Sequence, residues 1–205
     1  DFEVVALNDL GDLANLAYLL EYDSVYGRSP FSVEAKDGGL FVGGKQIAFS
    51  QVKEPNNLPW RDLAIDIVVE STGFFVTYEG SKLHLDAGAK KVVVSAPVKG
   101  DPAALGISGA TVLMGVNHDL LKTCQVSSNA SCTTYATSPL IAILKEAIGI
   151  DKAVLNTVHA YTASQSLVDS PKKDFREGRA AALNIIPSTT GAAIATTLAH
   201  PELKD

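Results

Sequence analysis

Residues 64–97 read AIDIVVESTGFFVTYEGSKLHLDAGAKKVVVSAP, and this stretch decides the fold. AIDIVVESTG (64–73) is a β-branched apolar run ending on polar residues and a glycine, which is the pattern of a buried strand. SKLHLDAGAK (81–90) reads as a helix closing on Gly88, and KVVVSAP (91–97) as the next strand. Strands alternating with helices predict a parallel α/β sheet.

The alternation continues on both sides. FEVVALND (2–9) reads as a strand, followed by a helix in LGDLANLAYLLEY with Leu10, Leu13, Ala17 and Leu20 at helical spacing. LFVGGKQIAF (40–49) is a hairpin turning at Gly43-Gly44. TVLMGVNHD (111–119) is a fourth strand, and a helix runs from about Ser131 to Ile148. AVLNTVHAYT (153–162) is a further strand, and a last strand, ALNIIP, leads into a capped helix at STTGAAIATTLAH. The strands end in Asn8-Asp9, Glu70-Ser71-Thr72-Gly73, Ser95-Ala96-Pro97 and Asn117-His118-Asp119. Open α/β sheets bind ligands beyond the carboxyl ends of their strands, so these tips suit one extended crevice. Strand ends are also commonly polar without any ligand.

Composition narrows the function. The 205 residues carry a net charge of −6, against the basic face of a nucleic-acid binder. No apolar run approaches the ~20 residues that span a bilayer. The first residues have no n-region and h-region of a signal peptide, and two cysteines make no disulfide framework. The expectation is a cytoplasmic protein with no nucleic-acid or membrane partner and no metal site; the NAS sequon at Asn129 is read as chance.

SNASCTTY (128–135) then raises the chemical question. Ser131 is an N-cap candidate, and Cys132 would sit in the first turn of an amphipathic helix. There a thiol feels the positive end of the helix dipole, and free N–H groups face a bound oxyanion. Cys132 is a nucleophile or a small filler on this pattern alone, whereas Cys124 reads as a buried structural thiol. His159 ends a strand and is the best of four histidines for a general base, ahead of His84, His118 and His200. Ser188-Thr189-Thr190-Gly191 opens a helix with hydroxyls and N–H groups converging, an anion cradle beside Ser131 and Thr133, or a plain N-cap. Asp9 can hydrogen-bond a ribose 2′-hydroxyl and repel a 2′-phosphate, favouring NAD over NADP; it can equally cap the next helix. Gly39–Gln46 nearly matches a P-loop, but Gln46 stands where the Ser/Thr belongs and no helix follows, so a hairpin turn explains the glycines. The polar loop 164–182, with Lys172, Lys173, Arg176 and Arg179, is long enough to be functional or interfacial.

Together SNASCTT, TVHAYTASQ, RAAALNIIPSTTGAA, VALNDL, DIVVESTG and VVVSAP closely resemble the phosphorylating glyceraldehyde-3-phosphate dehydrogenases, over nearly the whole sequence. The resemblance implies a Rossmann-type parallel-sheet domain over 1–131, lacking its first strand and glycine loop, followed by part of an α+β catalytic domain over 132–205. It implies NAD as cofactor, glyceraldehyde 3-phosphate and inorganic phosphate as substrates, and a homotetramer in which the 164–182 loop reaches a neighbouring subunit. Cys132 would be the nucleophile and His159 the base and later acid. Ser131, Thr133, Thr162, Thr190 and Gly191 would line the two phosphate sites, and Asp9, Lys53 and Ser95 would contact the cofactor. Ser170-Pro171 resembles the NAD-using pattern. The sequence is expected to be truncated at both ends, and the 205-residue chain to turn over little by itself. Alternatives are a non-catalytic fragment that acts by binding or subunit association, and a cysteine hydrolase using Cys132 and His159. Tyr135 departs from the family, which usually has Asn after SCTT.

Overall fold

A computed structural model describes residues 2–203; Asp1, Lys204 and Asp205, the outermost residues of the two expected domains, lie outside the described residues. The chain divides into two compact units. One comprises Asp1–Val94, Lys99–Gly109 and Cys124–Ser127; the other comprises Ser95–Val98, Ala110–Thr123 and Ser128–Asp205.

The first strand, β1 (Ala6–Asn8), is shorter than expected and runs parallel to β6 (Lys45–Ser50), pairing Ala6 with Ala48 and Asn8 with Ser50. Asp12 caps α1 (Leu13–Glu21) by accepting the Asn15 N–H, so Leu10 falls outside the helix and is exposed. Leu13 and Ala17 turn inward onto Val33, Leu40 and Ile47, while Leu20 stays out. After the ribbon β2 (Tyr22–Asp23) and β3 (Gly27–Arg28), strands β4 (Val33–Lys36), β5 (Gly39–Val42) and β6 form an antiparallel meander, giving the order β1-β6-β5-β4. Gly43 and Gly44 have φ of +58° and +80°, the two-residue turn that demands glycine, so this segment is a hairpin and not a phosphate loop.

The deciding stretch folds as β7 (Ile67–Glu70), α2 (Tyr78–Asp86) and β8 (Lys91–Val94), with β7 and β8 parallel from Ile67↔Lys91 to Glu70↔Val94. Thr77 caps α2 on the Gly80 N–H. The sheet continues with β9 (Gly109–Thr111) and β10 (Val126–Ser128) in the order β7-β8-β10-β9. β7 buries Val68 and Glu70 on one face but exposes Ile67 and Val69 on the other, so it is covered on one face only and is not the buried strand expected. Leu58, Trp60, Ile65, Val68, Ala87 and Ala89 form the core beneath it. Gly88, at φ +115°, lets the chain leave α2, and a Cβ there would lie 2.6 Å from the Arg61 Cβ and 2.8 Å from its backbone. Gly88→Ala is expected to destabilise the protein by ~2 kcal/mol, read as a lowered urea midpoint.

Three expected strands are absent. Within 111–119, the Asn117 side chain accepts the Leu113 N–H at 2.8 Å and donates to the Thr111 carbonyl at 2.9 Å, so a turn replaces the ladder beyond β9. AVLNTVHAYT (153–162) and ALNIIP have no strand partner among the described residues, and a β-branched run without a ladder is not a strand. Val154, Val158 and Ile185 are accordingly exposed. Helices α3 (Cys132–Ala147) and α4 (Ala192–Ala199) form where the sequence places them. Leu113, Ala130 and Ala199 pack together, and the buried His200 meets the Ser138 carbonyl through Nε2 at 3.1 Å.

Candidate active site

The cysteine turn begins where β10 ends. The Ser128 hydroxyl donates to the Ala96 carbonyl at 2.9 Å and accepts the Ala130 N–H at 3.1 Å. Ala130 bends left-handed, at φ +54°, and Ser131 then caps α3 by accepting the Thr134 N–H at 3.2 Å. Cys132 is the first residue of the helix and is exposed.

His159 lies on the extended segment after α3, with Nε2 3.1 Å from the Cys132 Sγ. Its Nδ1 is 2.6 Å from the Ala160 carbonyl, which can only accept, so Nδ1 carries the proton and Nε2 faces the sulfur. The hydrogen bond from His159 is the largest influence on the Cys132 thiol and lowers its pKa; slight burial opposes it, and the Thr133 N–H and hydroxyl add to the lowering. The Ala160 carbonyl, then the sulfur, raise the pKa of His159. Both shifts favour a thiolate–imidazolium pair. The first-turn position acts in the same direction. By contrast, burial pushes the Cys124 thiol up. A cleft of about 950 Å³ opens beside the pair, lined by Cys132, Thr133, Leu140, Leu144, Leu155 and His159 among others. A thiolate hydrogen-bonded to an imidazolium beside a cleft can add to a carbonyl and move a proton on the resulting oxygen.

The hydroxyl residues are less closely gathered. Ser131 Oγ is engaged by Thr134, both its N–H and its hydroxyl. Thr162 donates its N–H to Gln165 Oε1 and pairs its hydroxyl with Ser164. Thr190 Oγ1 accepts the Ala192 N–H at 3.1 Å, supplying the cap that Gly191 has no side chain to make. Thr162, Thr190 and Gly191 are exposed and do not line the cleft. The other unit holds Asp9 just past β1: its N–H donates to the Ser50 carbonyl, and its Oδ1 accepts the Gly11 N–H at 2.7 Å. A Cβ on Gly11 would stand 3.0 Å from that oxygen, so glycine leaves room beside the exposed carboxylate. Lys53 is exposed past β6, and Ser95 is exposed past β8.

Sequence reasoning missed Ala130, Asn117 and the Ala160 carbonyl. An asparagine or glycine at 130 would have signalled the left-handed bend; alanine does not. Among the described residues no cluster of three His, Cys, Asp or Glu could hold a metal, and no helix is long and apolar enough to cross a membrane.

Comparison with known proteins gives concordant matches in both parts of the chain. Residues 1–78 match the family model for the glyceraldehyde 3-phosphate dehydrogenase NAD binding domain, and residues 131–205 the model for its C-terminal domain. The glyceraldehyde-3-phosphate dehydrogenase of Geobacillus stearothermophilus is 48% identical over 206 residues, covering 100% of this chain and 59% of that protein. The Thermotoga maritima enzyme of the same name is 49% identical over 199 residues, covering 97% of this chain and 58% of its own length. The Mycolicibacterium smegmatis one is 49% identical over 207 residues, covering 100% and 59%. The chain thus spans about three fifths of the length of the curated relatives it matches.

Proposed function

The chain belongs to the glyceraldehyde-3-phosphate dehydrogenase family, an NAD-dependent oxidoreductase family, and on that premise we propose the reaction its site serves. The reaction is the oxidative phosphorylation of glyceraldehyde 3-phosphate to 1,3-bisphosphoglycerate through a thioester on Cys132. The observation that carries it is the 3.1 Å contact between Cys132 Sγ and His159 Nε2 at the start of α3.

The Cys132 thiolate attacks the aldehyde carbon, and the aldehyde oxygen takes the proton from His159 Nε2, giving a hemithioacetal. His159, now neutral, accepts that hydroxyl proton back as the carbon loses hydride, leaving a thioester on Cys132. NAD, when bound, supplies the hydride acceptor. Inorganic phosphate attacks the thioester carbonyl; Cys132 leaves as thiolate beside the imidazolium, and the acyl phosphate is released. The depressed thiol pKa serves both ends of this cycle, making a nucleophile at neutral pH and then a good leaving group. Asp9, Lys53 and Ser95 are assigned to the cofactor. Ser131, Thr133, Thr162, Thr190 and Gly191 are assigned to the substrate phosphate and the attacking phosphate; hydroxyls and helix N-terminal N–H groups suit such anions. Homotetrameric assembly and a cytoplasmic, glycolytic setting rest on the family premise alone. A cysteine hydrolase is disfavoured because the NAD-binding half would have no role.

Acylation from the product side tests the reading without a hydride acceptor. 1,3-Bisphosphoglycerate is expected to acylate Cys132 and release phosphate, with the adduct mapped by peptide mass spectrometry and absent from Cys124. A chain whose Cys132 alkylates rapidly yet takes no acyl group from the acyl phosphate is not built for this reaction.

A further inference from the structure

Tyr135 follows Cys132 by three residues, so its side chain leaves the same first turn of α3 as the thiol. Cys132 points outward to His159, whereas the Tyr135 ring packs into the cluster of Leu113, Ala130 and Ala199. Its hydroxyl accepts the Met114 N–H at 3.3 Å. Met114 belongs to the turn that Asn117 closes through Leu113 and Thr111, so the ring and hydroxyl connect the cysteine turn to a segment that is itself pinned. The cysteine turn needs such a support on that side. It enters through the left-handed Ala130, a conformation that a residue with a Cβ keeps only when its surroundings impose it. The Ala130 N–H is held by the Ser128 hydroxyl, and Ala130 is buried in the cluster with Leu113 and Ala199 against which Tyr135 packs. Moreover, His159 sits on a segment with no strand partner among the described residues, so the thiol's position must come from its own turn.

We propose that Tyr135 is a positioning residue for the nucleophile: it braces the first turn of α3 against the 113–117 turn and thereby holds the Cys132 Sγ toward His159. The proposal rests on the reading of Cys132 as an activated nucleophile. Loss of the brace lets the first turn move, which lengthens the contact to His159 and turns the Thr133 N–H away from the sulfur. The thiol then behaves more like an ordinary one.

The test is the pH profile of iodoacetamide labelling at Cys132, with buried Cys124 as internal reference, in the parent chain and in Tyr135→Ala and Tyr135→Phe, alongside urea unfolding of each. Tyr135→Ala is expected to slow Cys132 labelling at pH 7 about twofold and to move the midpoint of the profile upward. Tyr135→Phe keeps the ring and is expected to recover most of the rate, with a smaller upward move of the midpoint. A folded Tyr135→Ala with the parent's rate and midpoint overturns the proposal, whatever its urea midpoint, because the residue is then only structural. Where Tyr135→Ala does not fold, Tyr135→Phe decides: an unchanged rate and midpoint overturn the proposal. A parent chain whose Cys132 labels no faster than Cys124 removes the nucleophile reading itself, an outcome visible before any variant is compared.

Discussion

Replacing His159 by Asn is expected to slow iodoacetamide labelling of Cys132 at pH 7 about threefold, and Cys132→Ser to abolish the fast labelling altogether. An unassisted thiol, with a pKa near 8.5, is only a few per cent thiolate at pH 7. In the parent chain the Cys132 thiol is held below the ordinary range by His159 first and Thr133 second, and the His159 imidazole is held above its own by the Ala160 carbonyl and the sulfur. The rate in the parent chain should therefore be flat through neutral pH and fall as acid protonates the thiolate. The apparent pKa values belong to the pair, not to either residue. In His159→Asn the labelling rate should instead keep climbing, about tenfold per pH unit, toward the ordinary thiol pKa. A low-pKa thiolate is intrinsically a weaker nucleophile, with a Brønsted slope of ~0.4–0.5, which reduces the gain from its greater abundance at pH 7 to about threefold. Cys124 should label slowly in every variant, since it is buried and burial raises its pKa. Superimposable profiles for the parent chain and His159→Asn would show that the 3.1 Å contact does not activate the thiol.

What the sequence disclosed was local. Ser131 before Cys132 marks a helix start because a hydroxyl one residue ahead of the first turn has a short-range task, and the structure uses it so. Gly43-Gly44 marks a hairpin because only glycine takes two positive φ values without cost. The unit β7–α2–β8 was legible for the same reason: its apolar runs and caps are contiguous. One feature that was not legible is nonetheless short-range: within TVLMGVNHD, Asn117 folds back on Thr111 and Leu113, and the strand-like composition conceals it. The rest depends on residues distant in the chain. AVLNTVHAYT has the composition of a strand, but a strand also needs a neighbour, and composition does not supply one. Tyr135 could have faced the thiol or the core; the choice depends on Leu113, Ala130 and Ala199, which its own segment does not reveal. The pairing of Cys132 with His159 is likewise long-range, and it emerged from the sequence only through the combination of motifs, not from either residue alone.

The end of β7 carries the second large effect. Glu70 is 3% exposed, yet both its oxygens are engaged: Oε1 accepts from the Thr72 N–H at 2.6 Å and from the Thr72 hydroxyl, and Oε2 lies 2.9 Å from His84 Nε2. Trp60 donates its indole N–H to His84 Nδ1 at 3.1 Å. An indole can only donate, so Nδ1 accepts and the proton of the neutral ring sits on Nε2, directed at Glu70. The rings of Trp60 and Phe75 enclose the imidazole, stacked and edge-on respectively. Glu70→Ala leaves the buried His84 donor without its acceptor and frees the Thr72 turn, so a destabilisation of ~3 kcal/mol is expected, read from urea unfolding at pH 7. Glu70→Gln retains an oxygen but must place an NH2 among donors; a loss of ~1–2 kcal/mol is expected. The pH dependence has a definite sign. Burial pushes the Glu70 carboxyl up, but the hydrogen bonds from His84 and Thr72 outweigh it, and the folded-state pKa lies below the ordinary value. A carboxyl so depressed contributes stability that is complete above the unfolded pKa of about 4.3 and is lost as pH falls through the folded one. The parent chain's advantage over Glu70→Gln should therefore hold at neutral pH and shrink as the pH is lowered below about 4.3. An advantage that stays constant, or grows, as the pH is lowered through that range would mean that the carboxylate charge is not what the buried His84 and Thr72 hold in place.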